Sequence, residues 1–131
     1  MKNKINAITL TVLTIGLVSL LYKKANKKFR IGKSKIEGNG VIANKNLRVN
    51  EFIGNAVVNV EKTNLGYFYI ITDNLGVWIN HQPSIKSNAK LIKEGSKYVL
   101  RAVKKISKGE EITIDYDLNP SFLEKSKKHY N

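Results

Sequence analysis

The sequence predicts a mostly β fold of several small sheets, preceded by a single N-terminal hydrophobic helix. Three observations carry that expectation. Between residues 31 and 118 no window of ten or more residues shows a helical stripe of apolar side chains. The same region is built of short runs rich in β-branched and aromatic residues, broken at Gly32, Gly38, Gly54, Gly66, Gly76, Gly95 and Gly109. Ahead of it, Ile5 to Tyr22 is an uncharged, mostly apolar run. About 100 residues remain after that run, enough for one small domain with a modest core.

The first element is the hydrophobic run. It is at the short end for a membrane-spanning helix, which needs about 20 residues. Its three threonines bond within the helix and do not exclude a span. Lys23, Lys24, Lys27, Lys28 and Arg30 follow at once, while only Lys2, Lys4 and the terminal amine precede it. A cleaved signal peptide would need a small-residue processing site, and the run gives way directly to lysines. The expectation is therefore a single-pass membrane anchor, with the N-terminus outside and the rest on the cytoplasmic side. Residues 23–35 would lie against an anionic membrane surface. The chain has no cysteine, so disulfides and cysteine-ligated zinc are out of reach. With only His81 and His129 present, no histidine-rich metal site is expected either.

The formal charge of +13 invites a nucleic-acid reading, and its distribution argues against one. Residues 1–35 hold nine Lys/Arg and no Asp/Glu, whereas residues 36–118 hold eleven Lys/Arg against nine Asp/Glu. A backbone-binding module would be expected to carry its charge on the fold. No specific nucleic acid is expected as a partner.

The strands follow in order. Lys35 to Glu37 leads into Gly38-Asn39-Gly40 and then Val41-Ile42-Ala43. Phe52-Ile53, Val57 to Val60, Gly66 to Ile71 and Val77 to Ile79 come next. Ser84 to Lys93 reads as a helical turn or an irregular loop. Tyr98 to Val103 reads as a strand, Ser107 to Glu110 as a turn, and Glu111 to Tyr116 as a strand again. Tyr116 shares the parity of Ile112 and Ile114, so its phenol is expected to point inward. An inward phenol at a strand end is ordinarily core packing with one hydrogen bond.

Three motifs give the chain a more specific meaning. Arg101-Ala102, Ile106 and Gly109-Glu110-Glu111-Ile112-Thr113-Ile114-Asp115-Tyr116 form the strongest. Trp78-Ile79-Asn80-His81 is the second, and Gly38-Asn39-Gly40-Val41-Ile42-Ala43 the third. In this order and spacing they resemble the pattern of the SET domain, the fold of most protein lysine methyltransferases, over roughly residues 33–118. The second motif departs from the pattern after His81: six residues separate it from Asn88 where four are usual, and Ser87 stands in place of a proline.

The resemblance implies a β-clip-like fold with a knot-like C-terminal crossing, and no post-SET module. It implies S-adenosyl-L-methionine as cofactor, bound by Gly38, Gly40, Asn80 and His81, with Tyr116 as the catalytic residue. Its activity would be methyl transfer to a lysine amine of a protein substrate. Tyr67, Tyr69, Trp78 and Phe122 are candidate walls of the substrate channel. No metal is implied. The alternative is a catalytically degenerate, SET-derived binding domain tethered to a membrane. The expected organisation is an anchor and basic segment over 1–29, a SET domain over 30–118 and a lysine-rich flank over 119–131.

Overall fold

The computed structural model describes residues 7–123 and residue 125. Lys2, Lys4, Ile5 and His129, with most of the lysine-rich flank, lie outside them. Helix α1 (Ala7–Ala25) is followed by eight strands: β1 (Phe29–Lys33), β2 (Asn39–Ala43), β3 (Phe52–Thr63), β4 (Gly66–Ile71), β5 (Asn80–His81), β6 (Ala89–Glu94), β7 (Lys97–Ala102) and β8 (Glu111–Ile114). Short 3-10 turns occupy Gly76–Trp78 and Tyr116–Leu118.

The strands form two four-stranded sheets, ordered β1-β2-β8-β5 and β4-β3-β7-β6. Pairing is antiparallel except between β5 and β8, which run parallel with Asn80 opposite Thr113 and His81 opposite Ile114. The core lies between the sheets. Val41, Ala43, Ile112 and Ile114 supply it from the first sheet, and Val57, Leu100 and Ala102 from the second. Leu75 and Ile106 fill it from the connections. Gly76 is required by close packing, since a Cβ there would lie 2.2 Å from the carbonyl oxygen of Ala56.

The structure revises four elements of the sequence reading. The β1 strand falls inside the basic stretch: Phe29 and Ile31 are half-buried, and the strand pairs along its length with β2. The run Val77 to Ile79 is largely a 3-10 turn rather than a strand. The segment expected to be a loop or helical turn contains β6, joined to β7 by a hairpin in which Glu94 faces Lys97 and Gly95 takes φ +60°. Strand β8 ends at Ile114, so Tyr116 opens a turn instead of closing the strand.

The expected membrane anchor is corrected. Among the described residues no helix is long and apolar enough to cross a membrane. Lys23 and Lys24 occupy the last turn of α1. Its uncharged part from Ala7 to Tyr22 rises ~24 Å, against a hydrocarbon core of about 30 Å. The single-pass topology, with an outside N-terminus and a cytoplasmic domain, falls with the span. So does the contact of residues 23–35 with an anionic membrane surface. Much of that segment belongs to the fold: Phe29–Lys33 is a paired strand, and the Lys28 ammonium sits 3.3 Å from the Glu51 carboxylate and donates to the Phe52 carbonyl.

Candidate active site

The site is assembled around β8. Asn88 holds the strand from the side: its Nδ2 donates to the Glu111 carbonyl at 2.8 Å, and its Oδ1 accepts the Thr113 N–H at 3.0 Å. The Asn88 amide N–H donates to the Thr113 carbonyl and the Gln82 N–H to the Ile114 carbonyl. The loop from Gln82 to Asn88 is thus closed onto β8 at both ends. Ser84 adds a third tie, giving its N–H and hydroxyl to Asp115 Oδ2. The hydrogen bond from the Ser84 hydroxyl holds the Asp115 carboxyl below its ordinary value against the opposing effect of burial, helped by the N–H groups of Asp117 and Ser84.

Tyr116 follows this tied segment. Its backbone N–H donates to His81 Nδ1 at 3.0 Å, which places the proton of a neutral His81 ring on Nε2. The two rings lie 5.1 Å apart between centroids. The phenol hydroxyl donates to the carbonyl of Ile79 at 2.6 Å. Tyr116 is half-buried and lines a cavity of about 290 Å³ with Val57, Ile71, Val77, Ile79 and Leu91. Asn119 and Leu123 of the C-terminal flank complete the wall, and among the described residues no charged side chain lines it.

The turn Gly38-Asn39-Gly40 approaches from the other side. Asn80 Nδ2 donates to the carbonyls of Glu37 and Asn39, both at 3.1 Å, and to Glu111 Oε1 at 2.9 Å. All three partners are acceptors, which fixes the amide with its oxygen turned away from them. Gly38 takes φ +51°, a conformation that favours glycine, and a Cβ there would meet nothing within 4 Å. Next to the Ser34–Glu111 contact lies a cleft of about 600 Å³, lined by Lys33, Lys35, Gln82, Lys86, Glu110 and Glu111 among others, and not by the residues of the turn, Asn80 or His81. That volume is in the range of small-molecule sites.

The structure therefore brings Gly38, Gly40, Asn80, His81 and Tyr116 into one region. It gathers the proposed channel aromatics differently. Phe122 stacks on Tyr67 at 4.6 Å, lies 4.9 Å from Tyr69, and meets Tyr98 edge-on at 5.7 Å. Tyr69 donates its hydroxyl to the Phe122 carbonyl at 3.1 Å. Trp78 is used elsewhere, its indole N–H closing a turn onto the Asp73 carbonyl at 2.7 Å. The cavity beside Tyr116 is lined mostly by aliphatic residues, with Asn119 and Tyr116 itself. Sequence reasoning missed Glu111 and Tyr98, and did not place Asn88 in the site. Tyr98 was findable: it lies on an aromatic-containing strand, although its partner Phe122 is distant in sequence.

A sequence model of the SET domain matches residues 38–117. No curated protein sequence matches the chain. Among solved structures, the chain is similar to a Plasmodium falciparum protein described as a candidate histone methyltransferase. The TM-score is 0.53 at 22% identity, over 72% of this chain and 96% of that one. It is also similar to the methyltransferase domain of human PR domain-containing protein 2, with TM-score 0.52 at 21% identity, over 72% of this chain and 82% of that one. At these identities the structural likeness speaks to the fold.

Proposed function

This chain belongs to the SET-domain family, and from that premise we propose a mechanism for methyl transfer from S-adenosyl-L-methionine to a lysine amine of a protein substrate. The observation that carries the proposal is Tyr116. Its hydroxyl is fixed on the Ile79 carbonyl at the wall of a cavity lined, among the described residues, by uncharged side chains, one step from the Asn80-His81 segment.

The residues present fit the cofactor's chemistry. The open turn at Gly38 leaves backbone accessible for close approach. The Asn80 amide oxygen faces away from its internal partners and suits an ammonium donor. Gly38, Gly40, Asn80 and His81 would hold the cofactor. When bound, it supplies a methyl group on a positively charged sulfur.

The chain's own part is to deliver a neutral amine in line with that methyl. A lysine amine in water is protonated, with a pKa of about 10.4. The uncharged cavity disfavours the ammonium form by desolvation. The Tyr116 oxygen and the Ile79 carbonyl, 2.6 Å apart, present two fixed acceptors that orient the amine. The amine would lose its proton to solvent before transfer, and its own lone pair is then the nucleophile, so none is needed from the enzyme. We place this activity in a SET domain over 30–118, with the C-terminal flank contributing Asn119 and Leu123 to the cavity wall.

The degenerate-domain reading rested on the longer loop after His81. Asn88 still reaches β8 with both side-chain atoms despite that length, so an active enzyme is the better reading. Incubation of the purified protein with methyl-labelled S-adenosyl-L-methionine and a lysine peptide array tests it. The expected result is a mass increment of one methyl group on lysine. Cofactor binding without transfer, across histone, ribosomal and extract substrates, would favour the degenerate domain.

A further inference from the structure

We propose that Glu111 is the positioning residue of the cofactor site, a single carboxylate that ties the glycine turn and the Asn80 amide to β8. This rests on the functional reading above, and it assigns a role to a residue that the motif match leaves without one.

Both Glu111 oxygens lie 2.8 Å from the Ser34 hydroxyl, and Oε1 also accepts from Asn80 Nδ2 at 2.9 Å. The Ser34 oxygen in turn accepts the N–H groups of Ile36 at 2.8 Å and Glu37 at 3.2 Å. The hydroxyl thereby uses its one proton on the carboxylate and its lone pairs on the turn. Asn80 then grips the far side of the same turn through the carbonyls of Glu37 and Asn39. Residues 34–39 are held from both ends, and both holds meet at Glu111. Hydrogen bonds to an ionised acceptor are roughly twice as strong as neutral ones, so one carboxylate suffices to organise the cluster.

Gly40 acquires a reason from the same geometry. A Cβ at this position would lie 2.2 Å from Glu111 Oε1 and 3.1 Å from Asn80 Nδ2. The second glycine of the turn is therefore needed to admit the glutamate. The two glycines do different work: Gly38 adopts a left-handed conformation, and Gly40 vacates the space that the carboxylate fills.

The test is a set of variants in the full chain: Glu111→Ala, Glu111→Gln, Gly40→Ala, and the double variant Gly40→Ala/Glu111→Ala. Cofactor affinity is measured by isothermal titration with S-adenosyl-L-methionine, and turnover at saturating cofactor on a methylatable peptide. Hydrogen exchange reports on the Ile36 and Glu37 amides without any ligand. Glu111→Ala is expected to weaken cofactor binding by about tenfold or more, as loss of a charge-assisted bond implies. Its turnover at saturating cofactor should stay within roughly threefold of the parent, and exchange at both amides should accelerate. Glu111→Gln should fall between the two. Gly40→Ala, whose Cβ would meet Glu111 Oε1, should also accelerate exchange at the Ile36 and Glu37 amides, and the double variant should lose no more of that protection than Glu111→Ala alone, because the added methyl then occupies space the carboxylate leaves.

Parent-like affinity and amide protection in Glu111→Ala and Glu111→Gln would overturn the proposal. So would a pure loss of turnover with unchanged affinity, or full additivity in the double variant. If Glu111→Ala does not fold, the same criteria apply to Glu111→Gln. A folded parent that binds no cofactor would overturn the functional reading and this one with it, whereas a binding parent with indifferent variants overturns this one alone.

Discussion

The two sides of Tyr116 are built by different physics. On one side lie the glycine turn, Asn80, Glu111 and Asn88, where polar side chains are assigned named acceptors and donors. On the other lie the aliphatic cavity and the Phe122 cluster, where contacts are ring stacking and packing with one hydrogen bond from Tyr69. A hydrogen-bonded site accepts few residue types, because an unpaired buried group costs about 1–3 kcal/mol. A packed site accepts many residues of suitable volume. The two sides therefore differ in how much substitution they tolerate.

The contrast can be broken at several points. The largest effect is expected at the junction. Tyr116→Phe keeps the ring and removes the hydroxyl that meets the Ile79 carbonyl. The fold and cofactor affinity should be nearly unchanged, and methyl transfer should fall on the order of 100-fold. Single-turnover kinetics beside a titration of cofactor checks this, and parent-rate transfer would reduce Tyr116 to a core residue.

On the braced side, Asn88→Ala leaves the Glu111 carbonyl and the Thr113 N–H without their partner. A loss of about 2–3 kcal/mol is expected, read by urea unfolding. An effect near zero would mean that the loop length after His81 has already loosened this tie. On the packed side, Phe122→Ala removes the ring shared by Tyr67, Tyr69 and Tyr98. It should cost about 1–2 kcal/mol, since the ring is only half-buried. It should also raise KM for peptide more than for cofactor. A change in cofactor KM of equal size would show that the two sides are not separable.

The smallest effect concerns pH. Hydrogen bonds from Ser84 hold the folded pKa of Asp115 below its unfolded value, about 3.9. The stabilisation it gives is fully present above that value and is lost as pH falls through the folded pKa. Asp115→Asn should therefore flatten the acid limb of stability below about pH 4. Identical limbs for parent and variant, in thermal melts across pH, would remove Asp115 from the brace.

Legibility in the sequence cut across this division. The strands β4 and β7 showed in their alternating and aromatic residues, and the motif residues Asn80, His81 and Tyr116 in their spacing. Strand β6 was hidden because Lys90 and Lys93, on opposite faces, break the alternation of apolar and polar residues. The Gly95-Ser96 pair between Glu94 and Lys97 was the available hairpin signal. Strand β1 was masked by its basic neighbours. Glu111 could not be singled out, because its meaning depends on a glycine one strand away and a serine 77 positions earlier. The apolar run of α1 pointed to a span that the helix geometry does not provide.

The central claim is that the braced side holds the cofactor and presents its methyl to Tyr116. A crystal structure with S-adenosyl-L-homocysteine, the demethylated product, tests it most directly. The amino-acid end is expected against the 38–40 turn and Asn80, with the sulfur facing the Tyr116 hydroxyl at the mouth of the aliphatic cavity. A ligand bound away from Asn80, or a sulfur walled off from Tyr116, would contradict it.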